Sequence, residues 1–168
     1  GSTGGPKIPF GLASLSLRSL NPVADAMMRV LEMAAGRLEA GTVMEFLTLE
    51  PVQCRFGITP EDLPVIQNWI EKTKICWGIN QFHRKKHSQP VTISNTWQFG
   101  LEQLALGVVM EDEGEMVSTQ DLSIDDASQN RGVIPFEHLE GEKLELLGRF
   151  MEFTSTLFKQ IEVLEEEY

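Results

Sequence analysis

The last quarter of the chain sets the strongest limit on its fold. From Gly141 to Glu166, apolar residues recur at helical spacing through Leu144, Leu147, Met151, Phe158, Ile161 and Leu164. Phe150, Phe153 and Leu157 widen that stripe. A helix of about 25 residues is roughly 37 Å long, and an apolar stripe of that length needs other helices or a neighbouring domain to cover it.

The rest of the chain supplies candidate partners. Asn21-Pro22 reads as a cap and first-turn proline, and Val23, Met27, Val30, Leu31 and Ala34 then share one face of a helix ending near Gly36. A shorter helix is expected from Gly41 to Leu49, with Val43, Phe46 and Leu47 inward and a stop before Pro51. Thr59-Pro60-Glu61-Asp62 predicts another start, Thr59 capping and Pro60 in the first turn, with Leu63, Ile66, Trp69 and Ile70 as the buried stripe. Trp77-Gly78 reads as a turn, and Val91-Thr92-Ile93 as a short extended piece. Helix resumes at Thr96 or Trp97 and runs to Met110, with Gly100 and Gly107 on nearly the same face, where another chain segment can approach closely. Ile8 to Leu17 approaches strand alternation, or is an extended arm. The class is therefore mainly α with at most a small β element. The expected divisions are 1–7 as cloning scar and lead-in, 8–110 as a helical region, 111–131 as an acidic loop or insertion, and 132–168 as the long C-terminal helix packed on the same domain.

With 168 residues the chain has the size of one domain. No apolar run reaches the roughly 20 residues of a membrane helix, and the start lacks a secretory signal. The net charge of −11 is lopsided: 10 basic and 8 acidic residues up to Gln89, against 4 and 17 from Pro90 onward. An acidic half repels phosphate, so duplex DNA binding by the whole molecule is disfavoured. Cys54 and Cys76 are expected as reduced, buried thiols. Trp69, Trp77 and Trp97 each adjoin an apolar stripe and are expected in the core rather than stacked on bases.

Catalytic constellations are missing. Lys7 is followed by Ile8 and Pro9, so the glycine-rich start is no phosphate loop. The acidic runs Glu111-Asp112-Glu113, Asp125-Asp126 and Glu165-Glu166-Glu167 read as solvated charge rather than metal carboxylates. The serines near the start lack a nucleophile elbow. His83 and His87 lie four apart, but neither the residues between them nor the spacing elsewhere offers a third ligand, so no metal, cofactor or catalytic residue is assigned. The single basic cluster, His83, Arg84, Lys85, Lys86 and His87, is the candidate contact for DNA or an acidic partner.

Several segments, in order, resemble RecC subunits of bacterial exodeoxyribonuclease V. They are Ile8-Pro9-Phe10 with Leu15-Ser16-Leu17 and Asn21-Pro22; Arg55-Phe56-Gly57-Ile58 with Glu61-Asp62-Leu63 and Trp69-Ile70; and Ile75-Cys76-Trp77-Gly78-Ile79. Thr96-Trp97-Gln98-Phe99-Gly100-Leu101, Leu106-Gly107, Pro135-Phe136, Glu140-Gly141 and Leu146-Leu147-Gly148 continue the likeness. Where that family typically carries basic residues, this chain has Cys76 and Gln98, which weakens the case for DNA contact there. The resemblance implies a helical insert-type subdomain from the second half of a superfamily-one helicase-like architecture without working ATPase or nuclease motifs. It implies a non-catalytic wall of a DNA channel or a subunit interface, in a bacterial cytoplasmic complex that unwinds and degrades DNA ends and scans for Chi. The implied partners are RecB-like and RecD-like subunits and the remainder of RecC, with weak or no DNA binding by this segment itself. The alternative is a free-standing acidic helical module that binds a protein.

Overall fold

The computed structural model describes residues 21–88, 92–111 and 141–167. These form seven helices: α1 (Pro22–Ala34), α2 (Ala40–Leu47), α3 (Glu50–Phe56), α4 (Leu63–Lys72), α5 (Gln81–Lys86), α6 (Trp97–Glu111) and α7 (Gly141–Glu167). Among the described residues, the β content is one isolated bridge between Glu39 and Trp77, in keeping with a mainly α chain. The expected strand at Ile8–Leu17, Pro90-Val91, and the acidic insertion beyond Glu111 lie outside the described residues.

Local chemistry sets several helix ends. Asn21 is extended, and its side-chain oxygen accepts from the N–H groups of Val23 and Ala24, with Pro22 in the first turn. α2 stops before Pro51, as expected, and Pro51 sits in the first turn of a further helix, α3, where a missing N–H costs nothing. That helix ends at Gly57, which takes the left-handed conformation at φ 64° and offers its carbonyl to Arg149 of α7 at 2.9 Å. The start signal at Thr59 is shifted. The Asp62 carboxylate reaches back to accept from the N–H and hydroxyl of Thr59, which closes a turn, and α4 begins only at Leu63. Thr59 therefore is not the cap.

α7 lies along α1 and α3 and supplies the largest share of the core. Its buried residues are Leu146, Leu147, Phe150, Phe153, Thr154, Leu157, Phe158 and Ile161, so the stripe is centred on the phenylalanines and Leu144 is exposed. Phe150 meets Trp69 and Trp97 at ring separations of 6.3 and 6.5 Å, Phe158 meets Trp97 at 5.7 Å, and Phe153 meets Phe56 edge-on at 5.3 Å. Both cysteines are exposed rather than buried. Cys54 lies between the inward positions Val52 and Phe56 of α3, and Cys76 sits on a loop beside Asn95.

Gly100 shows why α6 can approach the chain so closely. A Cβ there would lie 2.5 Å from Ile75 Cδ1, nearer still to Cγ1, and 3.2 Å from Thr73 Oγ1. Overpacking of this kind costs about 1–3 kcal/mol, against a helix-propensity gain of about 1. Gly100→Ala is expected to lower stability by about 1–2 kcal/mol, read as a drop in the urea midpoint at unchanged slope.

Candidate functional site

The basic cluster falls on α5 and the turn after it, at a junction where three chain segments meet. Residues 37–40, 75–79 and 95–98 are laced by backbone hydrogen bonds: Ala40 N–H to Cys76, Gly78 N–H to Arg37, Cys76 N–H to Asn95, and Trp97 N–H to Gly78. Leu38 holds a left-handed backbone (φ 55°) that a leucine adopts only under constraint. Its side chain is buried, and its carbonyl accepts from the Trp97 indole at 2.9 Å. Asn80 caps α5, accepting from Phe82 and His83 N–H groups at 3.0 Å, and so aims Arg84 back into the junction.

Arg84 is buried, and its two terminal nitrogens are spent on acceptors within the chain. Nη1 donates to the Thr92 hydroxyl at 2.9 Å and the Ser94 carbonyl at 2.8 Å, and Nη2 to the Trp77 and Asn95 carbonyls at 3.1 Å. Its guanidinium carbon stands 4.6 Å from the centre of the Trp77 ring. Gly78 (φ 80°) makes room, since a Cβ there would press on Arg84 Cγ at 3.1 Å. Trp77 is accordingly half-buried, with Arg37 also near its face, whereas Trp69 and Trp97 are core residues as expected.

The neighbours of Arg84 form a second group. His83 is 4% exposed, and neither of its ring nitrogens makes a hydrogen bond. Its Nε2 nonetheless comes within 3.3 Å of Glu165 Oε1 on α7, a close approach without hydrogen-bond alignment. The His87 ring lies 4.8 Å from that of His83. Lys86 Nζ sits 2.6 Å from the other carboxylate oxygen of Glu165. Candidate ligand atoms of His83, His87 and Glu165 all lie within 4.8 Å of one another. Beside them, a cavity of about 440 Å³ is lined by Leu31, Ala34, Ala35, His87 and Leu164. Burial pulls the His83 imidazole below its ordinary pKa of 6.5; Glu165 opposes this, and His87 and Lys86 add to it.

Of the five residues singled out from sequence, His83 and Arg84 are thus buried, His87 is half-buried, and Lys85 and Lys86 are exposed. Sequence reasoning missed Glu165, which it read as part of a solvated terminal run. No spacing signal could have linked it to α5, because only the fold of α7 brings it there. Among the described residues, no helix is long and apolar enough to cross a membrane.

Residues 20–168 match the family model described as the RecBCD enzyme subunit RecC fourth domain. The chain belongs to the RecC fourth-domain family. Curated relatives agree: the RecBCD enzyme subunit RecC of Mycolicibacterium smegmatis is 32% identical over 94% of this chain and 13% of its own length. The subunit of the same name from Mycobacterium tuberculosis strain H37Rv is 30% identical over 87% of this chain and 12% of its own. That of Escherichia coli K12 is 28% identical over 84% of the chain and 11% of its own. The RecC fourth domain therefore spans about 13% or less of the length of these relatives.

In this RecC fourth domain, Arg84 is an internal clamp. Arg84→Lys offers one point charge where a fork meets several acceptors, and is expected to cost about 3 kcal/mol. Lys85→Ala should stay within about 0.5 kcal/mol of the parent. Chemical denaturation of the two variants side by side checks this. The His83 shift has a definite sign. Above pH 6.5 the ring is neutral folded and unfolded alike; as pH falls through 6.5, the unfolded chain takes up the proton first, and stability is lost until pH passes below the folded value. Metal-free protein should therefore show a falling urea midpoint on acidification through this window, with a shallower fall in His83→Gln.

Proposed function

We propose that this RecC fourth domain is a non-catalytic scaffold that packs, through an apolar face of α1 and α7, against the remainder of a RecC-type chain. In this reading that chain works with RecB-like and RecD-like subunits on DNA ends. The observation that carries the reading is the side of α1 that no described residue covers. Val23, Met27 and Leu31, four residues apart and on one face, are 55%, 66% and 49% exposed, and Met28 adds 42%. Val163 on α7 is 46% exposed, and a groove of about 390 Å³ runs between the two helices with Phe46, Phe56, Phe153 and Leu157 at its base. Contiguous apolar surface of this kind marks an interaction site. Covering each such side chain is worth about 1.5–3 kcal/mol.

The occupant proposed is the rest of the same subunit, because the relatives are roughly eight times longer than the matched segment. A free-standing acidic module would have no such chain to offer. Unwinding, degradation and Chi scanning belong, in this proposal, to the assembly rather than to residues of this domain. Any DNA contact made by this cluster would run through the exposed Lys85 and Lys86, since Arg84 and His83 are buried.

Methionine oxidation by hydroxyl radicals tests the docking directly. Met27 and Met28 should oxidise readily in this chain alone and several-fold more slowly in a full-length RecC-type subunit carrying it. Equal rates in both would remove the proposed interface.

A further inference from the structure

We propose that His83, His87 and Glu165 form a binding site for a divalent transition-metal cation of the zinc class, held between α5 and the last turns of α7. Two imidazoles and one carboxylate make a donor set that suits zinc, which commonly takes three protein ligands and leaves a fourth position for water. The three donors already lie within 4.8 Å of one another. The His83 Nε2 to Glu165 Oε1 separation of 3.3 Å matches the spacing of adjacent ligands around a tetrahedral ion with bonds of about 2.0–2.1 Å.

A second observation concerns the burial of His83. His83 is 4% exposed, yet both of its ring nitrogens lack a hydrogen bond. Buried polar atoms without partners are uncommon, because each forfeits its hydration. A cation between Nε2 and the Glu165 oxygen 3.3 Å away would give that nitrogen the aligned partner it lacks. The fourth position would face the cavity of about 440 Å³ next to His87 and Glu165, which leaves it room for water.

Lys86 works against the ion and also shapes its site. Its ammonium sits on Glu165 Oε2 at 2.6 Å, which leaves Oε1 as a single oxygen turned towards the histidines. Such outer contacts orient a ligating carboxylate. The positive charge nearby weakens cation binding, so removing it should tighten the site.

The test uses the chain stripped of metal by chelator dialysis and alkylated at Cys54 and Cys76, whose exposed thiols would otherwise take up the ion. Calorimetric titration with Zn²⁺ should give one ion per chain, with a raised melting temperature. Glu165→Gln and His87→Ala should each weaken binding at least about tenfold, and Lys86→Met should strengthen it. Co²⁺ should give visible ligand-field bands that are lost in Glu165→Gln. His87 and Glu165 are used because neither side chain is fully buried, so the variants should keep the fold, and their melting curves without metal verify it. The proposal falls if no saturable uptake occurs below about 100 μM Zn²⁺, or if uptake is unchanged in both variants.

Discussion

Everything at the meeting point of the three chain segments depends on one guanidinium. Taking an arginine charge out of water is expensive unless its donors are met. Arg84 answers this at its two terminal nitrogens with carbonyls and a hydroxyl from residues 77, 92, 94 and 95, plus the face of Trp77, and only Nε is left without an acceptor among the described residues. Those segments have little regular structure of their own, so their orphan carbonyls need a donor as much as the charge needs acceptors. The same junction holds Leu38 in its left-handed backbone and places Trp97 where its indole can reach the Leu38 carbonyl. From Trp97 onward α6 is aimed at the core, so a short irregular region sets the direction of a long regular one.

The second constraint is aromatic. Phe150, Phe153 and Phe158 on α7 fill the space between Trp69, Trp97, Phe46 and Phe56. A helix of 27 residues lies along α1, yet Met27 and Leu31, at the rim of the groove between the two helices, stay exposed. Among the described residues, the core side of these helices is filled and the rim of their groove is left apolar and open. That asymmetry suits a segment of a much larger chain better than a self-sufficient one.

What could be read from sequence followed a physical divide. Features encoded locally were legible: the Asn21 cap, the stripe of Ile66, Trp69 and Ile70, the turn at Gly78 and the tight approach at Gly100. Pro51 rightly marked the end of α2, but that it also opens α3 was not read, because a seven-residue helix leaves little periodic signal. α5 is only six residues long and left no periodic signal. Charge was the least legible property. Arg84 and Lys85 are adjacent and equally basic, yet one is an internal clamp and the other faces solvent. Which is which depends on the direction in which the Asn80 cap starts the helix. Glu165 was invisible for the same reason on a larger scale, because its partners lie 79 residues away.

Separations of that size bear on how the chain reaches its folded state. Long-range hydrogen bonds tie Leu38 to Trp97 across 59 residues, Lys86 to Glu165 across 79, and Gly57 to Arg149 across 92. Non-local closure is entropically slow to form. During synthesis, α1 to α6 emerge before the helix that covers their phenylalanine-lined faces, and they must wait with apolar surface in water. The docking of α7 is thus the step that closes the core. Until it docks, the exposed strip on α1 has company, and the unfolded interval is when this protein is most open to aggregation or to capture by a chaperone.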